Sequence, residues 1–129
     1  MKINGLLITA GLLLVLAGGC KSKSASELIV NKWHLYELSG KDAELIPDSA
    51  KAKMYKESTI EFKKDGKYQT SGMSEHMKTG TYQISADGKT IITVEDGGAK
   101  ADSVSLVELT ATKMTVKENK ADFKASFKP

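Results

Sequence analysis

One cysteine, two prolines, one tryptophan and two histidines occur in 129 residues, and there is no arginine at all. A single cysteine cannot form a disulfide within the chain, so any folded domain must be held by packing alone. Without arginine there is no guanidinium fork to clamp a phosphate or carboxylate at two points. His34 and His76 are the only imidazoles and Cys20 the only thiol, so the groups from which most nucleophile–base pairs are built are scarce. Glu95 and Asp96 are adjacent at what reads as a strand end. Side chains there point to opposite faces and cannot act as a paired acid and base. The Asp-Gly pairs at 65–66, 87–88 and 96–97 lack the further acidic ligands of a calcium loop. No enzyme and no cofactor are expected. Nineteen lysines stand against sixteen acids with the signs interspersed, which describes a solvated surface and no nucleic-acid footprint.

Long apolar runs are missing too, save one. Lys2 gives a positive start, and Leu6 to Ala17 is an almost unbroken apolar stretch of twelve residues. As a helix it would rise about 18 Å, short of the roughly 30 Å of bilayer hydrocarbon. An apolar run of this length, ending in the small residues Gly18 and Gly19, predicts a cleaved export signal over 1–19 and no transmembrane helix. The stretch Leu12 to Cys20 resembles the lipobox of bacterial lipoproteins, with Ala17 where leucine is commonest. The resemblance implies that Cys20 is acylated, becomes the new N-terminus and anchors the protein to a lipid bilayer. A multiply acylated cysteine holds far more firmly than a single chain, each buried methylene contributing about 0.8 kcal/mol. Lys21 follows the cysteine where an aspartate resembles an inner-membrane retention signal, so an outer-membrane location is expected. Residues 20–27 are polar and read as the lipidated cysteine plus a flexible tether. Residues 28–129 then make one small domain.

Ser24 to Val30 reads as a short turn or helix and Trp33 to Leu38 as the first strand. Pro47 forbids one continuous helix through the link that follows. Asp48 or Ser49 is the expected cap of a short helix over 50–56, with Met54 and Tyr55 as its apolar contacts. From Ser58 the apolar period is two, and the Asp-Gly pairs mark hairpins. A three-residue loop Lys64-Asp65-Gly66 pairs Phe62 with Tyr68 and Ile60 with Thr70, gathering large apolar groups on one face. The same loop length at Ala86-Asp87-Gly88 pairs Tyr82 with Ile92 and Ile84 with Thr90, and places Val94 on their face. Further on, Leu109 is expected opposite Met114 and Val107 opposite Val116. A tight turn at Asn119-Lys120 would pair Val116 with Phe123 and Met114 with Ala125, with Phe127 on the same face. This register turns Ile91, Val104 and Leu106 outward. Eight strands result, roughly 32–38, 57–63, 67–72, 77–85, 89–95, 102–109, 113–118 and 121–128. Joined by short connections, they predict an all-β, antiparallel up-and-down barrel of eight strands, with a short helix or lid after the first strand.

Asn31-Lys32-Trp33, Phe62-x-x-Asp65-Gly66-x-Tyr68, Gly80-x-Tyr82-x-Ile84 and Leu109-Thr110 follow in this order. On these residues the domain resembles the lipocalin-like domain of bacterial lipoproteins, over most of Leu28 to Lys128. The resemblance implies an eight-stranded barrel, often with a small apolar ligand. Asn31 stands where lipocalins place a glycine. Lys124 or Lys128 are the candidates for the cation that lipocalins pack over the tryptophan.

Three functions are compatible with these observations. The first is a membrane-anchored, non-enzymatic binding module for a small apolar ligand, held by Trp33, Phe62, Tyr68, Tyr82 and Phe123 at a mouth under the 41–56 link. There the Tyr68 and Tyr82 hydroxyls would orient the ligand. The second is a protein-interaction or inhibitor barrel whose interior is filled by those same aromatics. The third is copper handling by Met73, His76 and Met77, with Glu75 and Met54 nearby, since thioether and imidazole are soft ligands. The bland account of that cluster is a loop with gap-filling methionines.

Overall fold

A computed structural model of the chain describes residues 23–73 and 76–129. The leader 1–19, Cys20 and Glu75 lie outside the described residues. Eight antiparallel strands close into one barrel in simple sequence order. They are β1 (Asn31–Ser39), β2 (Thr59–Phe62), β3 (Lys67–Ser71) and β4 (Lys78–Ile84), then β5 (Thr90–Glu95), β6 (Ala101–Leu109), β7 (Met114–Glu118) and β8 (Lys124–Lys128). Closure of β8 on β1 leaves no unpaired edge.

A short helix, α1 (Ala25–Leu28), precedes β1. It begins on a capping box in which Ser24 and Glu27 satisfy each other's backbone N–H groups. Part of the segment expected to be tether is therefore helical. A 3-10 turn (Asp42–Leu45) and α2 (Asp48–Glu57) fill the link between β1 and β2. Pro47 occupies the N-cap position of α2 and no side chain caps it, so Asp48 is the first helical residue, not the cap. The helix packs on β1 through half-buried Met54 and Tyr55. The Tyr55 hydroxyl accepts the Leu38 N–H at 3.0 Å.

The first hairpin has the expected register, with Phe62 opposite Tyr68 and Ile60 opposite Thr70, and Gly66 at φ +87° in its three-residue loop. The second differs by one residue. Ile84 pairs with Ile91 and Tyr82 with Thr93, across a four-residue loop. The Asp87 carboxylate accepts the Ser85 hydroxyl at 2.5 Å and the Lys89 N–H at 3.0 Å, while Ser85 Oγ accepts the Thr90 N–H. These side-chain bonds stabilise the longer loop. Because side chains alternate, the slip turns Ile91 inward and Ile92 and Val94 outward. Ile91 is 2% exposed. Val104, opposite Ile91, turns inward with it.

Two bulges explain the remaining differences. On β6 the register shifts between Leu106 and Glu108, so Leu106 faces Val116 and Leu109 faces Met114. Leu106 and Leu109 both point inward, and Val107, expected inside, is 52% exposed. On β1 the shift between Leu35 and Glu37 keeps Leu35 and Leu38 on the same inner face, opposite Phe127 and Ala125. The last hairpin slides by two residues from the expected pairing, giving Val116 with Ala125 and Met114 with Phe127. An even slip keeps each side chain on its face, so the inner set survives. The longer turn is held through Asp122. Its carbonyl accepts the Asp42 N–H at 3.0 Å, its carboxylate the Lys41 N–H, and its own N–H donates to the Asp42 carboxylate.

The core comprises Trp33, Leu35, Phe62, Ile91, Met114 and Phe127 with their neighbours. At the end where β1 begins, the Trp33 indole N–H donates to the Ile29 carbonyl at 2.9 Å, and both residues are fully buried. Residue 29 thus closes that end, and α1 lies beside the β4–β5 turn, with Ala25 near Gly88. Among the described residues no lysine covers Trp33 in the way expected of the last strand. Lys128 lies over the Tyr36 ring instead, at 5.7 Å, and Lys124 is exposed.

Candidate functional site

The barrel interior opens at the end opposite α1, between the β3–β4, β5–β6 and β7–β8 turns. A cavity of about 660 Å³ enters there, within the range that holds a small organic ligand. Its deep wall is apolar, built by Phe62, Ile91, Val104, Met114, Val116 and Phe127. Nearer the mouth the same strands change character. Thr70, Lys78, Thr93, Glu95 and Asp102 line the upper wall, with Lys100 and Lys120 on the rim. Two more open depressions flank α1 at the closed end, formed largely by the helix and the neighbouring turns.

Strand register explains why charged residues lie on an inward face. Tyr68 points in, Gly80 is opposite it, and Glu95 is opposite Gly80. Thr93 is two residues before Glu95 and pairs with Asp102, so both carboxylates share the inner face. Lys78, opposite inward Thr70, does the same from β4. Gly80 is needed where it stands, since a Cβ there would collide with the Val94 carbonyl oxygen and come within 2.7 Å of the Tyr68 ring. The glycine leaves room for the backbone of β5 and for the edge of the Tyr68 ring.

The Tyr68 phenol has its pKa raised above the ordinary value. Burial contributes most, then the negative charges of Glu95, Asp96 and Asp102, against an opposing hydrogen bond from Thr93. At neutral pH Tyr68 therefore keeps its proton in the cavity wall. Tyr82 is raised mainly by burial as well, with Asp65 adding to it. Its hydroxyl donates to the Lys63 carbonyl at 2.7 Å, and its ring meets Phe62 edge-on at 4.8 Å. That hydroxyl serves the fold.

Of the five aromatics expected at a ligand site, Phe62 and Tyr68 line the cavity. Trp33 is buried against Ile29 at the closed end, Tyr82 lies beside the β2–β3 turn, and Phe123 is half-buried near the β7–β8 turn. None of these three is on the cavity wall, and no residue of the 41–56 link is either. Met73 is on the rim, and His76 and Met77 are exposed in the adjoining segment. Met54 lies in α2, against the core. Among the described residues no group of three His, Cys, Asp or Glu side chains converges as a metal site would. Glu95 and Asp96 do diverge: Asp96 accepts from the Thr79 hydroxyl at 2.7 Å, while Glu95 faces the cavity. The charged collar was missed in the sequence. Its signal was the lysine two residues before Gly80, on the parity of Tyr82 and Ile84.

The family model described as a lipocalin-like domain matches residues 29–116. The chain belongs to this lipocalin-like family. Among solved structures, a DUF4847 family protein from Bacteroides vulgatus ATCC 8482, determined at 1.00 Å resolution, is similar with a TM-score of 0.52. It is 13% identical, and the likeness covers 78% of this chain and 93% of that one. At that identity the likeness establishes the fold. No curated protein matches the chain. In this lipocalin-like barrel the strands run in sequence order, with one end closed at Ile29 and the other open above Tyr68.

Proposed function

We propose that the protein is a lipid-anchored binding module that holds a small, largely apolar ligand at the cell envelope. The observation that carries this is the cavity of about 660 Å³, apolar at depth and open at one mouth. A barrel serving only as a scaffold gains nothing from such a space, because unfilled volume forfeits packing contacts. The lipidated Cys20, supported by the apolar run before it, supplies the anchor, with the outer membrane as the destination.

Native mass spectrometry of the protein extracted from its own envelope tests both parts. An added mass on the N-terminal peptide at Cys20, together with a second, dissociable mass on the folded protein, is expected. A folded protein with no dissociable mass, and no uptake of any added acyl compound, would overturn the ligand reading. A second reading has one observation behind it. Leu45 and Met77 are 80% and 59% exposed near the mouth end, which suits a protein partner docking there. Capture of a single defined partner that is lost in a Leu45→Lys/Met77→Lys variant would favour that alternative.

A further inference from the structure

We infer that the ligand is a single-chain amphiphile whose head group is zwitterionic, carrying an ammonium and an anionic group together. The inference rests on the cavity reading above and adds the chemistry of the head. An apolar ligand alone would need no charge at the mouth. Here Lys78, Glu95 and Asp102 stand on inward-facing strand positions, with Lys100 and Lys120 at the rim.

The two signs do not neutralise each other directly. Among the described residues the one ion pair joins Lys113 to Glu108, at the opposite end of the barrel. Glu95 and Asp102 are diagonal neighbours on adjacent strands, a spacing of about 7–8 Å. Both act on Tyr68, on the same inner face, through their charge, and the face of that ring also favours a cation. A purely anionic head would meet both carboxylates, and a purely cationic head would meet three lysines. Only a head with both signs finds a complement for each, and like-charge juxtaposition penalises the others. Below the collar, Phe62, Met114 and Phe127 accept the chain. The interior of an eight-stranded barrel has width for one small ligand.

The test uses the full chain in an uncharged maltoside detergent, titrated with four probes of equal chain length and followed by native mass spectrometry. The probes are a lysophosphatidylethanolamine, an alkylamino carboxylate, a fatty acid and an alkylammonium salt. At least one zwitterion is expected to be retained about tenfold more tightly than the fatty acid and the alkylammonium. Whichever leads identifies the anion as phosphate or carboxylate. Glu95→Gln with Asp102→Asn should abolish the advantage over the fatty acid. Lys78→Gln with Lys100→Gln should abolish the advantage over the alkylammonium. All four side chains are exposed, and circular dichroism melts confirm that the variants fold. Fatty acid or alkylammonium retained as tightly as both zwitterions would overturn the inference and leave the cavity reading standing. Retention of none of the four would overturn both.

Discussion

Ile91 and Ile92 are chemically identical neighbours, and the barrel treats them oppositely. Ile91 is buried in the cavity wall and Ile92 is half-buried on the outside. Replacing a buried isoleucine by alanine typically costs about 2–5 kcal/mol. Ile91 borders open space, so part of its surface already lacks contacts, which places Ile91→Ala near the lower end, about 2–3 kcal/mol. Ile92→Ala removes the same atoms from a partly wet surface and should cost about 1 kcal/mol or less. Against a total stability of about 5–15 kcal/mol the difference is easily measured. Urea unfolding followed by fluorescence is the assay, since Trp33 is the only tryptophan and fully buried. The midpoint should fall markedly for Ile91→Ala and slightly for Ile92→Ala, with the slope unchanged in both. In thermal melts the first variant should lose about 10–20 °C. Equal losses, or a larger loss for Ile92→Ala, would refute the register of the β4–β5 hairpin and with it the inward position of Glu95.

Tyr68 and Tyr82 have folded pKa values raised above the ordinary value, mainly by burial. The folded state thus holds its phenolic protons longer than the unfolded chain does. That contribution to stability is complete below the unfolded value near 10 and is lost as pH rises through the folded values. Urea midpoints should decline above about pH 10, less steeply in Tyr68→Phe; a decline identical in the wild type and the variant would count against a shifted Tyr68. Gly80→Ala pushes a methyl against the Val94 carbonyl oxygen of the neighbouring strand as well as the Tyr68 ring. It should cost about 1–3 kcal/mol by overpacking, read from the same urea curves, and a neutral result would mean that β4 and β5 do not pass this close at residue 80.

What could be read from the sequence followed from how unevenly the large side chains are distributed. In Phe62 to Tyr68 only one loop length places both rings on one face, and the barrel uses it. In Ile91-Ile92 either parity buries an isoleucine, so the pattern cannot choose. The choice is made by hydrogen bonds of Ser85 and Asp87 that a hydropathy pattern does not contain. Leu106-Val107 poses the same ambiguity, and there a bulge resolves it. The closed barrel itself was robust to these slips, because strand number and order depend on turns more than on register. The site was less legible. Aromatics mark an interior but not which part of it is empty, and Trp33 and Tyr82 are absorbed by hydrogen bonds at the closed end. Lys78 shares the parity of Tyr82 and Ile84 in the sequence, but the carboxylate of Glu95 joins the collar only because Ile91 faces in.

The barrel has a direction. The polypeptide enters beside the plugged end, at Ser24, and the opening lies a full strand length away. Cys20 is four residues before Ser24, a reach of at most about 14 Å even when fully extended. With Cys20 acylated as proposed, a tether that short would hold the sealed base toward the lipid surface and turn the entrance outward. Cargo would then arrive from, and depart toward, the opposite side.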